Sequence, residues 1–152
     1  MSEQNKAIVR RSFDELFSQG DLRVADDVFA ADYVGHDPAM PQPIRGPTEF
    51  KRFVTMYRTA FPDLVLTVED QLAEGDRVVT RFTARGTNRG PLMGIPPTGR
   101  KVTITGISID RMVDGKSAES WTNYDLLGMM QQLGILPGPN VPPPEAREQP
   151  RH

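Results

Sequence analysis

The N-terminal part of the chain spaces its apolar residues as helices do. Over residues 6–19 they recur with a period of about 3.6, and residues 22–29 form a second apolar helix face. A third helix begins at Gly46-Pro47, because proline is favoured at the first helical position. It ends before Pro62, since the residue before a proline is pushed out of the helical region. The pattern therefore predicts three helices before any strand.

The apolar period then changes from 3.6 to 2, which indicates strands. The alternating stretches, rich in Val, Ile, Thr and Phe, are residues 64–72, 76–86, 101–113 and 116–124. Asp114-Gly115 is a two-residue hairpin signal, so the last two strands are antiparallel neighbours. A short fourth helix over residues 126–133 follows, capped by Asp125. This order predicts an α+β fold in which a curved antiparallel sheet packs with N-terminal helices around a pocket.

Chain length and composition indicate one domain and a tail. Residues 1–136 are predicted to form a single domain of ordinary size. Residues 137–152 hold six prolines in sixteen positions and few apolar groups, so we expect a disordered, Pro-rich tail.

The counts of titratable residues exclude several mechanisms. The chain has no cysteine and two histidines, of which His152 is the last residue, so only His36 can belong to an organised site. A net charge of −2 gives no basic footprint for nucleic acid. No apolar run is long enough to span a bilayer, and the polar N-terminus does not resemble a signal peptide. We expect a cytoplasmic protein with no metal and no membrane or nucleic-acid partner.

The hairpin at Asp114-Gly115 brings polar side chains to one face of its two strands. The pairing puts Ser108, Asp110, Ser120 and Thr122 on a shared face between apolar neighbours. These groups point either into a wet cavity or to solvent, and the pattern leaves both readings open.

Two further residues are candidates for acid–base chemistry. Asp70 shares the parity of the apolar residues Leu66 and Val68, so it would be a carboxylate on an apolar face with a raised pKa, unless a bulge near Glu69 turned it outward. His36, which follows the second helix, is either structural or a general base at the cavity rim.

The Gly- and Pro-rich segment 86–100 connects two predicted strands. It is either a plain connection or a flap over the pocket, with Met93 and Ile95 contacting a flat ligand.

Several short segments resemble one known family, the SnoaL-like polyketide cyclases of the NTF2-like cone fold. The resemblance runs from about Asn5 to Gly134. The segments that carry it are Arg45-Gly46-Pro47, Phe61-Pro62-Asp63, Met93-Gly94-Ile95-Pro96-Pro97-Thr98-Gly99-Arg100, Asp114-Gly115-Lys116 and Gln132-Leu133-Gly134. It implies a deep apolar pocket, a homodimer formed through the sheets, and no cofactor.

The family resemblance also implies aldol ring closure by an aspartate assisted by a histidine. Counting without gaps through the shared segments, the histidine position falls on Ser108 and the aspartate position on Thr122. Neither side chain exchanges a proton near neutral pH as those residues do. We therefore expect a changed chemistry.

The sequence favours a tailoring enzyme of aromatic polyketide (anthracycline-type) biosynthesis that acts as a cofactor-independent hydroxylase. Such a reaction needs no cofactor, because an electron-rich dihydroquinone reacts with O₂ itself once an enzyme holds and deprotonates it. A separate reductase is a candidate partner. The alternatives are a cyclase with displaced acid–base residues and a non-catalytic NTF2-like binding protein. The predicted catalytic residues are Asp70, His36 and Asp110. The predicted substrate contacts are Ser108, Thr122, Tyr33, Phe53, Tyr57, Met93 and Ile95.

Overall fold

A computed structural model describes residues 2–137, and it has the predicted α+β architecture. The helices are α1 (Ser2–Arg11), α2 (Val24–Val28), α3 (Gly46–Ala60) and α4 (Leu126–Gln132), and a π-helical segment, Ser12–Phe17, extends α1. The strands are β1 (Phe29–His36), β2 (Ile44–Arg45), β3 (Val65–Glu74), β4 (Arg77–Thr87), β5 (Lys101–Val113) and β6 (Lys116–Tyr124). The predicted tail, residues 138–152, lies outside the described residues.

The six strands form one sheet in the order β2-β1-β6-β5-β4-β3. The meander from β3 to β6 is antiparallel, as predicted, and the turn at Asp114-Gly115 joins β5 to β6 in the expected register. Strand β1 lies parallel to β6, with His36 opposite Trp121. The sequence pattern missed β1: it extended the second helix through Phe29, whereas that helix ends at Val28. Pairing with a strand about eighty-seven positions away, as between Tyr33 and Ser120, overrides local helical spacing.

Helices and sheet pack their apolar faces against one another. Along β5 every second residue from Val102 to Met112 is buried, so one face of the strand points inward throughout. Helix α3 contributes an inward stripe that includes Phe50, Phe53 and Tyr57. Each such side chain contributes about 1.5–3 kcal/mol when fully removed from water. The aromatic rings meet edge to face or tilted, as Phe53 and Tyr57 do at 5.2 Å.

The helices among residues 2–137 include none long and apolar enough to cross a membrane.

Candidate active site

A cavity of about 120 Å³ lies between the inner face of the sheet and helix α3. Its wall is largely aromatic and aliphatic, with contributions from Phe13, Phe29, Phe53, Phe82 and Ile104. Polar groups interrupt this wall at two places. One lies on β5 and β6, and the other lies where β1, β6 and α3 meet. An apolar cavity with a few convergent polar groups is typical of a small-molecule site.

Asp110 is the buried carboxyl group at the first polar place. Its strand position faces the cavity, and it is 6% exposed. Burial raises its pKa to about 6, although a hydrogen bond donated by Ser117 Oγ over 2.7 Å opposes the shift. A carboxyl group with this pKa can both take and release a proton near neutral pH, as a general acid or base must. The predicted assignment of Asp110 to the site agrees with this position.

Ser108 precedes Asp110 by two residues and faces the same cavity. Its hydroxyl group is buried and has no hydrogen-bond partner among residues 2–137. Thr122 lies directly opposite Ser108 on β6 and also lines the cavity. Because a buried hydroxyl group without a partner costs about 1–3 kcal/mol, the position is suited to a ligand oxygen.

Tyr33 brings a phenol to the same region from β1. Its hydroxyl group is hydrogen-bonded with Ser120 Oγ, and Ser120 lies opposite Asp110 in the sheet. Burial and the charges of Asp110 and Asp37 raise the pKa of the Tyr33 phenol, so it stays protonated. Glycine is required at position 35, because an added Cβ would collide with the Tyr33 hydroxyl oxygen.

The second polar place is a chain of hydrogen bonds between three residues. Tyr124 Oη donates to Asp37 Oδ1 over 2.8 Å, and Tyr57 Oη lies 2.6 Å from Tyr124 Oη. All three residues line the cavity. Burial raises the pKa of the Asp37 carboxyl and of both phenols.

His36 forms part of the cavity wall, but its ring is engaged on the outer side of the sheet. Its Nε2 lies 2.8 Å from Glu119 Oε2, and the ring stacks on Trp121 with centroids 5.8 Å apart. This hydrogen bond lowers the pKa of the Glu119 carboxyl, as does Arg111. Glu119 thus engages Nε2 on the outer side of the sheet, and the role of His36 as a general base stays a prediction.

The prediction that Asp70 belongs to the site is wrong. The β3–β4 register shifts between Val68 and Asp70, so a bulge at Glu69 reverses the parity of the strand. Asp70 is thereby turned to the outer face, where its carboxylate pairs with Arg81 at 2.6 Å.

The prediction that Met93 and Ile95 contact a ligand is also not met, since neither residue lines the cavity. The segment between β4 and β5 is tied down at its base by Asn88, whose Oδ1 accepts from the Thr98 N–H at 2.7 Å. Met93 is 42% exposed. The segment is a braced connection between strands.

The structure places the other predicted contacts, namely Ser108, Thr122, Tyr33, Phe53 and Tyr57, on the cavity wall. The site residues assigned from the sequence do not include Asp37 or Tyr124. Tyr124 has the parity of Ser120 and Thr122 on β6, a signal that was available. No comparable sequence signal marks Asp37, because its position depends on strand β1, which the sequence pattern did not predict.

No cluster of three or more histidine, aspartate or glutamate side chains in the described part of the chain could hold a metal ion.

The fold and the apolar cavity define the class of protein as an NTF2-like cone. The chain belongs to the family of SnoaL-like polyketide cyclases, whose model matches residues 7–133. Aklanonic acid methyl ester cyclase DauD of Streptomyces sp. (strain C5) is 33% identical over 138 residues, which cover 83% of this chain and 84% of that protein.

Solved structures agree with this assignment. A candidate SnoaL-like polyketide cyclase from Jannaschia sp. CCS1 superimposes with a TM-score of 0.81 at 27% identity, covering 90% of this chain and 95% of that one. AclR of Streptomyces galilaeus, a candidate hydroxylase, superimposes with a TM-score of 0.79 at 28% identity, covering 97% of this chain and 90% of that one.

Proposed function

We propose that the protein is an acid–base enzyme of aromatic polyketide biosynthesis that closes a ring by intramolecular aldol addition. The observation that carries the proposal is Asp110, a buried carboxyl group with a pKa of about 6 inside an apolar cavity. A relative that is 33% identical is named as a methyl ester cyclase. Asp110 supplies the proton exchange that Ser108 and Thr122 cannot provide.

The reaction follows from the groups in the cavity. The Asp110 carboxylate takes a proton from the carbon between two carbonyl groups of the substrate, and the resulting carbanion attacks a carbonyl carbon of the same molecule. One C–H bond breaks and one C–C bond forms. The attacked oxygen gains the electron pair and then a proton. Ser108 Oγ, which lacks a partner, is placed to hydrogen-bond a substrate oxygen and hold it in register with Asp110.

Cavity size limits how the substrate binds. The volume of about 120 Å³ is close to the roughly 150 Å³ of an engineered cavity that holds one benzene molecule. We therefore place the reacting ring in the cavity and the remaining rings of a polycyclic substrate toward its mouth.

Hydroxylation by O₂ without a cofactor is the second candidate function. Its support is the likeness to AclR over 97% of this chain, together with a cavity that needs only one base to deprotonate a dihydroquinone. Oxygenation of the carbanion gives a hydroperoxide, whose conversion to a hydroxyl group consumes two electrons from a separate reductase. Ring closure needs no such co-reactant. The buried Asp110 also supplies the acid–base group that Ser108 and Thr122 lack.

The test uses purified protein and an anthraquinone methyl ester that carries a β-keto ester side chain. Ring closure is expected at the same rate with and without O₂, giving a product isomeric with the substrate by mass spectrometry. Incorporation of ¹⁸O from ¹⁸O₂ would support hydroxylation instead, and binding without turnover would leave the ligand-binding role.

Two matched variants locate the base. Asp110→Asn is expected to lower kcat by about 10²- to 10⁴-fold, the usual contribution of an acid–base group. Asp70→Asn makes the same chemical change on the outer face of the sheet and is expected to leave kcat unchanged. The reverse pattern would restore the sequence-based assignment.

The homodimer, which the family resemblance implies, and the cytoplasmic location, which the composition and the apolar pattern indicate, stay predictions.

A further inference from the structure

Three polar side chains from three different elements form a continuous chain at one end of the cavity. Tyr57 comes from α3, Tyr124 is the last residue of β6, and Asp37 follows β1. Tyr124 Oη donates to Asp37 Oδ1 at 2.8 Å, and the two phenol oxygens lie 2.6 Å apart. Since a phenol has one proton and that of Tyr124 goes to Asp37, the Tyr57 hydroxyl donates to Tyr124 in this arrangement.

The exposure of these residues changes along the chain of hydrogen bonds. Tyr57 is buried at 8% exposure, whereas Asp37 and Tyr124 are partly exposed. Asp37 therefore meets solvent at the rim while Tyr57 lies against the apolar interior. The carboxylate is also fixed in place, because Oδ1 accepts a second hydrogen bond, from the Ala39 N–H at 2.8 Å.

This end of the cavity is within electrostatic reach of the base. Asp110, Tyr33 and Tyr57 line the same cavity, and the charges of Asp110 and Asp37 both raise the pKa of the Tyr33 phenol. One substrate can therefore meet Asp110 with one atom and Tyr57 with another.

We propose that Asp37, Tyr124 and Tyr57 form a proton relay that carries a proton from solvent to the substrate oxygen. The relay rests on the proposed ring closure, in which Asp110 accepts the proton from carbon. The new alkoxide takes the proton of Tyr57, Tyr57 takes that of Tyr124, and Tyr124 takes the proton of the Asp37 carboxyl group. Each O–H bond that breaks is replaced by one that forms, and water at the rim reprotonates Asp37.

Burial of Asp37 favours the protonated form of its carboxyl group, which this direction of the relay requires. Burial raises the pKa of its carboxyl group, against the hydrogen bonds from Ala39 and Tyr124. When Asp37 carries a proton, the hydrogen bonds reverse and the Tyr57 proton is free to point into the cavity. In this assignment Tyr57 is the catalytic residue, and Tyr124 and Asp37 are positioning residues that supply its proton.

The test measures kcat, KM and the solvent deuterium isotope effect in Tyr57→Phe, Tyr124→Phe and Asp37→Asn. Each is expected to lower kcat by about 10- to 100-fold, below the full contribution of an acid–base group, and Tyr124→Phe and Asp37→Asn are expected to change KM less than about twofold. In the wild type kcat is expected to depend non-linearly on the deuterium fraction, because several protons move together. Tyr124→Phe should remove that curvature.

The test includes a control variant outside the relay and a second relay variant for the case that Tyr124→Phe does not fold. Thr55→Val deletes a hydroxyl group on the exposed face of α3, outside the relay, and is expected to leave kcat unchanged. If Tyr124→Phe does not fold, Asp37→Asn decides, because its amide oxygen still accepts both hydrogen bonds but the group has no transferable proton. Unchanged kcat in the folded variants would overturn the relay while ring closure stands.

A ligand that does not react separates the relay from the proposed function. Alizarin, a dihydroxyanthraquinone, changes its absorption when a phenol ionises. Wild-type protein is expected to bind it in the neutral, hydrogen-bonded form, and Tyr57→Phe to weaken binding about tenfold. Weaker binding in Tyr57→Phe without turnover of any ester would overturn ring closure and keep Tyr57 as a hydrogen-bond donor to a ligand oxygen. Identical binding by all variants, or none by the wild type, would count against the relay.

Discussion

Asp110 destabilises the folded chain when its carboxyl group is ionised, so the free energy of unfolding depends on pH. Its pKa is raised from an ordinary value of 3.8 to about 6 in the folded chain, so the folded state holds the proton more tightly than the unfolded state. Stability is therefore greatest where both states are protonated and falls as the pH rises from about 4 through 6. Above that window the ionised, buried carboxylate costs about 3 kcal/mol.

Asp110→Asn is expected to raise the free energy of unfolding near pH 7.5 by up to about 3 kcal/mol, because the amide carries no charge. Urea unfolding at pH 4.5 and 7.5 checks this, and the gain should fall to about 1 kcal/mol at the lower pH. The same substitution is expected to abolish most turnover, so activity and stability change in opposite directions. Equal pH dependence of stability in wild type and variant would contradict the shifted pKa.

Ser117→Ala is the control for that interpretation. Ser117 donates the hydrogen bond that opposes the shift, so its loss should raise the pKa of Asp110 further. The upper end of the pH range over which stability falls would then move upward, which the same urea unfolding measurements at several pH values detect.

At the scale of elements, the segment between β4 and β5 depends on one buried amide. Asn88 is 2% exposed; its Nδ2 donates to the Gly90 carbonyl at 2.9 Å, and its Oδ1 accepts from Thr98 at 2.7 Å. Asn88→Ala leaves both backbone groups without these partners. We expect a loss of about 2 kcal/mol in the free energy of unfolding and faster proteolysis within residues 91–97.

Asn123→Ala makes the same change at an exposed position of β6 and is expected to change neither the free energy of unfolding nor the rate of proteolysis. Resistance of the Asn88→Ala segment to protease would show that it is held by other contacts.

Single elements also decide how far the sequence predicts the site. The Asp114-Gly115 turn fixes the register of β5 and β6, and that register correctly puts Ser108, Asp110 and Thr122 on one shared face, which the structure shows to be the inner one. The bulge at Glu69 has no turn residue to mark it, so the sequence pattern could not decide which face Asp70 occupies.

Pairings between distant segments account for what the sequence did not predict. Strand β1 forms by lying parallel to β6, a contact that no local pattern shows, and the position of Asp37 depends on it. Asp37, Tyr124 and Tyr57 therefore come together only in the folded chain.

On the scale of the whole molecule, the outer face of the sheet carries a row of side chains opposite one another on successive strands. Leu72 is paired with Val79, Val79 with Ile109, Ile109 with Trp121 and Trp121 with His36. Paired residues lie on the same face. Leu72 is 69% exposed, and Ile107 beside the row is 50% exposed. Apolar area left in water costs about 25 cal/mol per Å².

We predict that this row is the contact between two copies of the chain in the homodimer. Ile109→Asp puts a charge in the middle of the row, on the opposite face of β5 from Ser108 and Asp110, so it should shift the protein to monomer without altering the cavity. Thr103→Asp adds the same charge six residues along the outer face of β5 and should leave the dimer intact. Sedimentation velocity over a range of concentrations measures both. A wild-type monomer throughout, or a dimer unaffected by Ile109→Asp, would show that the row is not the interface.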